Sequence, residues 1–235
     1  RGGFDAPLLP RPRTFSKRRP AYESRKLRDL SLSPLQLEAL RPVLGRRIPL
    51  VLHAHRASDI RAALVFAEEQ RIRLVISGGA EAWLVAPRLA LQGVPVILRP
   101  SRQTPETFDQ LAARDDSPKV LADAGVEVAL STYGWAQAAG RLRQEAGIAV
   151  AHGLDPLAAM SAITLIPARI FGLDDQTGTV EAGKRANLVL WSGDPFELDS
   201  RAERIWIDGA PLSTDNRQRQ LARRHLERLR QRAGK

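Results

Sequence analysis

The sequence contains no cysteine and a single methionine, Met160. The lack of cysteine excludes disulfide staples and thiolate-held zinc and leaves the compartment open. Aromatic residues make up 5% of the chain, too few and too scattered for a platform on which bases could stack. No apolar run approaches the roughly 18 residues needed to cross a bilayer. The first residue is Arg1 rather than Met, so the chain is expected to be a fragment of a longer protein, with any signal peptide upstream.

What is present is enough for a core: 235 residues, 43% of them hydrophobic. That suits one large domain, or one and a half smaller ones. The formal charge of +10 raises the question of a nucleic-acid partner, but the charge is unevenly spread. Residues 1–30 carry nine Lys/Arg against three Asp/Glu, and residues 214–235 carry eight against two, leaving −2 for the middle of the chain. The basicity reads as two solvated ends, so neither nucleic acid nor a membrane is expected as partner.

Residues 1–45 open with a Pro-, Gly- and Arg-rich stretch without periodicity, read as an irregular linker or insertion. Within it a short helix is expected from about Leu35 to Leu44, capped by Ser33 with Pro34 at its first position. From Pro49 the pattern turns regular. PLVLHAH, RLVIS (73–77), PVILR (95–99) and VEVALS (126–131) are short apolar runs bounded by turn signals, each reading as a buried strand. Between them, helices are expected from Ser58-Asp59, over the Ala/Leu-rich stretch around Pro87, from Thr104-Pro105-Glu106, and from Ser117-Pro118 to Gly125. Two more should run from about Trp135 to Gly147 and from Asp155-Pro156. Strands alternating with helices predict parallel βα units: an α/β fold, with residues 46–172 forming four units, half of an eight-stranded barrel. Half a barrel has two unpaired edges and an uncovered core face, and should not be stable alone.

After Gly172 the texture changes. NLVLW (187–191) and ERIWIDGAPL, with Asp208-Gly209 at a turn, predict antiparallel strands over residues 173–213. Residues 214–235 predict a charged, exposed helix.

Three stretches resemble a known family. IPLVLHAHRASDIRAAL is similar to the fifth barrel strand and following helix of imidazolonepropionase-like members of the amidohydrolase superfamily. GLDPLAAMSAITLIPARIFGLDDQTGTVEAGKRANLVLWSGDPFE carries a turn at Ile166-Pro167-Ala168 and a strand entry with Asn187 where that family usually has Asp. ERIWIDGAPL resembles the closing strands of the small β-sandwich beside the barrel. The resemblance implies the C-terminal half of a (β/α)8 TIM-type barrel plus the last strands of that sandwich. It implies metal-assisted hydrolysis of C–N bonds in amides, peptides or cyclic amides, in which a divalent metal, zinc above all, acidifies a bound water and polarises the carbonyl.

Carried over residue by residue, the family's strand-five metal histidine falls on His53. His53 and His55 share a strand face, and from the residues alone they read first as a hydrogen-bonded pair at a strand end and only second as ligands. His55 is expected to bind substrate. The strand-six ligand position falls on Gly78, which has no side chain to coordinate with. Glu81 beside it reads as a helix-start carboxylate. The strand-eight Asp, ligand and base in relatives, is replaced by Tyr133, whose phenol is a poor base at neutral pH. No catalytic residue is therefore assigned, and this chain alone should not hold the metal its parent uses. His152 and His225 match no ligand position. Two functions stay open: a C–N hydrolase acting on a small amide-type substrate, or a degraded homologue serving as a homo-oligomeric or paired non-catalytic subunit.

Overall fold

The computed structural model describes residues 33–134, 136–213, 215 and 217–233. The reading of residues 1–32 as irregular, and the positions of Trp135 and Thr214, lie outside the described residues. The described residues fall into two units that divide between Arg41 and Pro42. In the first, α1 (Pro34–Ala39) is capped as expected: Ser33 Oγ accepts from the Gln36 N–H, and the Gln36 side chain accepts from the Ser33 N–H. The single helix predicted to Leu44 is instead two, α1 and α2 (Arg41–Leu44).

The second unit is built on four strands, β1 (Leu50–Ala54), β2 (Leu74–Gly78), β3 (Val96–Leu98) and β4 (Val128–Leu130). They lie side by side in sequence order and all pairs are parallel. Among the described residues β1 and β4 each pair on one side only, as half a barrel requires. One face carries Leu50, Leu52, Ile76, Val96, Leu98 and Leu130 against α3 (Ala57–Glu69), α4 (Ala86–Leu91) and α5 (Ser117–Asp123). Their side chains Ile60, Leu64, Leu89 and Leu121 are wholly buried there, each worth about 1.5–3 kcal/mol. α6 (Leu142–Ala151) and α7 (Pro156–Ile163) complete this layer. On the opposite face, Ile166 and Ile170 of α8 (Leu165–Phe171) pack on Val75, Ile97 and Ala129. The Ile166-Pro167-Ala168 motif is thus the first turn of a helix rather than a free turn.

Three local expectations are corrected. No helix starts at Thr104: residues 104–113 form successive turns, in which Gln110 N–H reaches Thr107 O and Ala113 N–H reaches Gln110 O. The Gln110 side-chain oxygen folds back to accept the Glu106 N–H at 3.1 Å. The helix expected to stop at Gly147 continues as α6 to Ala151 and ends on His152 and Gly153, whose φ is +93°. Gly147 lies inside it because a Cβ there would sit 2.9 Å from the Phe196 carbonyl oxygen. Finally, α3 opens one residue ahead of the expected Ser58-Asp59 start. The helix begins at Ala57 and its first N–H is met by Glu81.

The antiparallel strands are β5 (Leu188–Trp191), β6 (Ala202–Ile207) and β7 (Ala210–Leu212). Asp208 and Gly209, at φ +48° and +79°, make the β6–β7 turn with the two positive φ values that the Asp-Gly pair favours. Asn187 takes the Asp208 N–H on its side-chain oxygen at 2.9 Å, a role open to the amide at position 187. The last helix, α9 (Arg217–Ala233), is exposed along its described side chains, and no described helix is long and apolar enough to cross a membrane.

Candidate functional site

In a parallel sheet, chemistry gathers at the C-terminal strand ends, where loops can carry side chains over fixed backbone. The register places His53 beside Ser77, Ser77 beside Ile97 and Ile97 beside Ala129, one continuous row across all four strands. The row lies on the face away from α3, α4 and α5, so His53 points into the mouth of the partial barrel.

A directed chain of hydrogen bonds starts there. His53 Nδ1 lies 3.4 Å from Ser77 Oγ, and the Ser77 hydroxyl donates to Tyr133 Oη at 3.1 Å. The Tyr133 hydroxyl in turn donates to the Ile97 carbonyl. Ser77 has spent its one proton on Tyr133, so it accepts from His53, which puts the proton on Nδ1 and leaves the lone pair on Nε2. Tyr133 also accepts from the Gly78 N–H at 2.9 Å. Burial pushes the Tyr133 phenol above its ordinary value, against the opposing pull of the Ser77 and Gly78 donors. It is a neutral hydrogen-bond bridge, not a base.

His55 stands edge-on to His53, with ring centroids 4.8 Å apart. The Gln110 side-chain amide reaches His55 Nε2 at 3.1 Å, so the imidazole is neutral with its proton on Nδ1, and that atom is buried without a partner among the described residues. Burial first, then the neighbouring His53, lowers the His55 pKa below 6.5. Glu81 fixes the backbone around it. Its N–H donates to the His55 carbonyl at 2.9 Å while its carboxylate accepts from the Ala57 N–H at 2.9 Å. The expected helix-start carboxylate does cap a helix, but α3, not its own.

Gly78 has a physical reason for lacking a side chain. Its φ is +98°, and a Cβ would lie 2.9 Å from His55 Cε1 and 3.0 Å from His53 Cε1. The two imidazoles occupy the space that a side chain at 78 would need. Among the described residues, no three His, Cys, Asp or Glu side chains gather as a metal site needs. His53 offers a free Nε2 lone pair, but Gly78 and Tyr133 offer no ligand, so the described residues do not make up a metal site by themselves. His152 caps the end of α6 and His225 lies on α9, both outside the mouth.

Ser77 and Gln110 were not singled out from the sequence. Ser77 was in principle accessible to register reasoning, being the neighbour of His53 one strand over. Gln110 sits in an irregular polar loop with no periodic signal.

The amidohydrolase family model matches residues 79–222. The chain belongs to the amidohydrolase family. An imidazolonepropionase from Aromatoleum aromaticum is 33% identical over 175 residues, 72% of this chain and 41% of that protein. An amidohydrolase structure from Thermotoga maritima superposes with a TM-score of 0.72 at 33% identity, covering 79% of this chain and 48% of that one. A zinc-bound adenosine deaminase from Xanthomonas campestris, at 20% identity, has a TM-score of 0.53 over 85% of this chain and 54% of its own. It is similar in fold. The chain thus spans about half the length of these amidohydrolases, and is an imidazolonepropionase-like partial barrel with antiparallel strands attached. Members of the amidohydrolase family are hydrolases and generally metal-dependent.

Proposed function

We propose that the protein containing this chain is a metal-dependent hydrolase of carbon–nitrogen bonds in small amide-type molecules: amides, dipeptides or cyclic amides. In that protein His53 offers Nε2 to a divalent metal, zinc being the first choice, and His55 lines the substrate pocket. The observation supporting this most directly is the convergence of His53 and His55 at the C-terminal ends of four consecutive parallel strands. The hydrogen bond from His53 Nδ1 to Ser77 orients the ring as ligating histidines are commonly oriented, by a partner on the other nitrogen. The remaining ligands, and the base that Tyr133 cannot supply, belong to the rest of the barrel on this reading. The test uses the full-length protein. Close to one equivalent of bound metal and hydrolysis of an amide panel, both lost in His53→Ala, are expected. A metal-free and inactive full-length protein would rule the reading out.

A second reading is favoured by one specific pairing, the filled space at Gly78 and the neutral, fully engaged Tyr133. Here the protein is a degraded amidohydrolase acting as a non-catalytic partner, in a homo-oligomer or beside an active subunit. It predicts that the full-length protein binds an amide ligand without turnover and that Tyr133→Asp leaves that affinity unchanged. Turnover by the unmodified protein would exclude it.

A further inference from the structure

At the end of the β2–β3 ladder a side chain stands where a backbone hydrogen bond belongs. Ile76 pairs with Val96 and Ser77 with Ile97, and the Ile76 N–H reaches the Pro95 carbonyl at 3.0 Å. Two residues further on, the same parallel pattern would send the Gly78 N–H to the Ile97 carbonyl. Instead the Tyr133 oxygen lies between them. It accepts from Gly78 N–H at 2.9 Å and from Ser77 Oγ at 3.1 Å, and donates to Ile97 O.

Three features mark this place as a slot with an occupant rather than as part of the sheet. The occupant arrives from a loop 55 residues away in sequence. It is held at φ +42°, a backbone conformation that bulky residues rarely adopt. Tyr133 as a residue is 42% exposed while its hydroxyl is inserted, so the slot lies next to solvent. The His53 ring, 6.3 Å away and nearly perpendicular, forms an aromatic wall beside it.

We propose that this end of the ladder is a binding slot for one neutral hydroxyl on a ring-sized ligand, such as a phenol or a cyclic alcohol, and that Tyr133 fills it in cis. The chemistry follows from the three partners. A hydroxyl oxygen accepts from Gly78 and Ser77 and still has a proton for the Ile97 carbonyl. A carboxylate has no proton to give and would face that carbonyl with like partial charge. An apolar ring leaves both backbone groups unpaired. A ligand that takes the slot must displace Tyr133, so the tyrosine gates the part of the mouth next to His53.

The test uses the full-length protein carrying Tyr133→Gly, a residue suited to the positive φ. The Gly78 amide is followed by NMR and hydrogen exchange, with phenol, toluene and benzoate as probes. The Gly78 amide should exchange about tenfold faster than in the wild type, as expected for one lost hydrogen bond. Phenol should restore its protection saturably, whereas toluene and benzoate should not, and the wild type should bind phenol at least about tenfold more weakly. Full protection in Tyr133→Gly without any probe would mean that Gly78 pairs directly with Ile97, and would overturn the proposal. Equal action by toluene or benzoate, or equal phenol affinity in the wild type, would do the same. If the glycine variant does not fold, Tyr133→Phe keeps the ring and should still show faster Gly78 exchange; an unchanged rate would refute the slot. None of these readouts needs metal or turnover, so the slot and the hydrolase reading fail independently.

Discussion

The Tyr133 hydroxyl lies 2.9 Å from the Gly78 backbone nitrogen, closing a relay that begins at His53 and ends at the Ile97 carbonyl. Two positions that family resemblance marks as replaced are therefore in direct contact. Each explains the other: Gly78 leaves room for the imidazoles, and its N–H is answered by the phenol that stands where the resemblance expects a carboxylate. The relay needs its proton on Tyr133 to reach Ile97.

Tyr133 should accordingly ionise above the usual value of about 10. The chain has two tyrosines, Tyr22 and Tyr133, so the phenolate absorbance of Tyr22→Phe reports Tyr133 alone. The pKa is raised in the fold, so its contribution to stability is complete below pH about 10 and is lost as pH rises through the folded value. A midpoint below 10 would contradict the inserted hydroxyl.

Gly78→Ala should destabilise the chain by about 1–3 kcal/mol, combining strain at φ +98° with collision against both imidazoles. Urea unfolding gives the number, and the ring-proton shifts of His53 and His55 should move together. Gly78→His, with a larger side chain, should be worse still. A neutral result for Gly78→Ala would show that the rings are free to retreat.

His55 gives the fold an acid-side dependence. Its pKa is lowered by burial and by His53, so its contribution to stability is present above the unfolded value of about 6.5 and is lost as pH falls through the folded one. Melting temperature should drop between pH 7.5 and 5.5, ahead of the carboxylates, and the slope should shrink in His55→Asn. An equal slope in the variant would assign the effect to another group.

Gly147→Ala separates helix propensity from packing. Inside α6 alanine should gain about 1 kcal/mol over glycine. Its Cβ would nevertheless stand 2.9 Å from the Phe196 carbonyl oxygen, which is backbone and cannot swing aside like a long side chain. The expected outcome is a net loss of stability. A gain would mean that the segment before β6 is not seated on α6.

Glu145 is buried and accepts from Ser101 N–H at 2.9 Å, from Ser101 Oγ at 2.7 Å and from Arg99 Nε at 3.4 Å. It ties α6 to the loop after β3. Glu145→Ala strands those donors and should cost about 3 kcal/mol, as breaking a buried pair usually does. The cost should show in chemical denaturation, with loss of order in residues 99–103.

The four strands, their parallel order and the Asp208-Gly209 turn were readable because each rests on local pattern: short apolar runs, helical spacing between them, a dipeptide suited to two positive φ values. Strand parity put His53 and His55 on one face, and the family resemblance supplied the expectation that this face is the mouth. The misreadings share a different cause. Gly147 looks like a helix end until Phe196 is seen against it, and Thr104-Pro105-Glu106 looks like a helix start until Gln110 is seen turning back on Glu106 and toward His55. Ser58-Asp59 looks like the helix start until Glu81, distant in sequence, is seen meeting the N–H of Ala57 one residue earlier. Each is decided by a partner distant in sequence or by a side chain whose direction no periodicity encodes. The Tyr133 insertion is of this kind. The sequence marks it as a lost carboxylate and is silent about the ladder it enters.

Glu81 grips the first loop twice, at the His55 carbonyl and at the Ala57 N–H. Connections after barrel strands ordinarily change length freely. This one does not have that freedom, because the spacing from Gly78 to Glu81 sets where His55 stands. Adding a residue there, or shortening the side chain by one methylene in Glu81→Asp, would retune the neighbouring unit's imidazole without touching it. Any redesign of this mouth has to treat the loops after β1 and β2 as a single part.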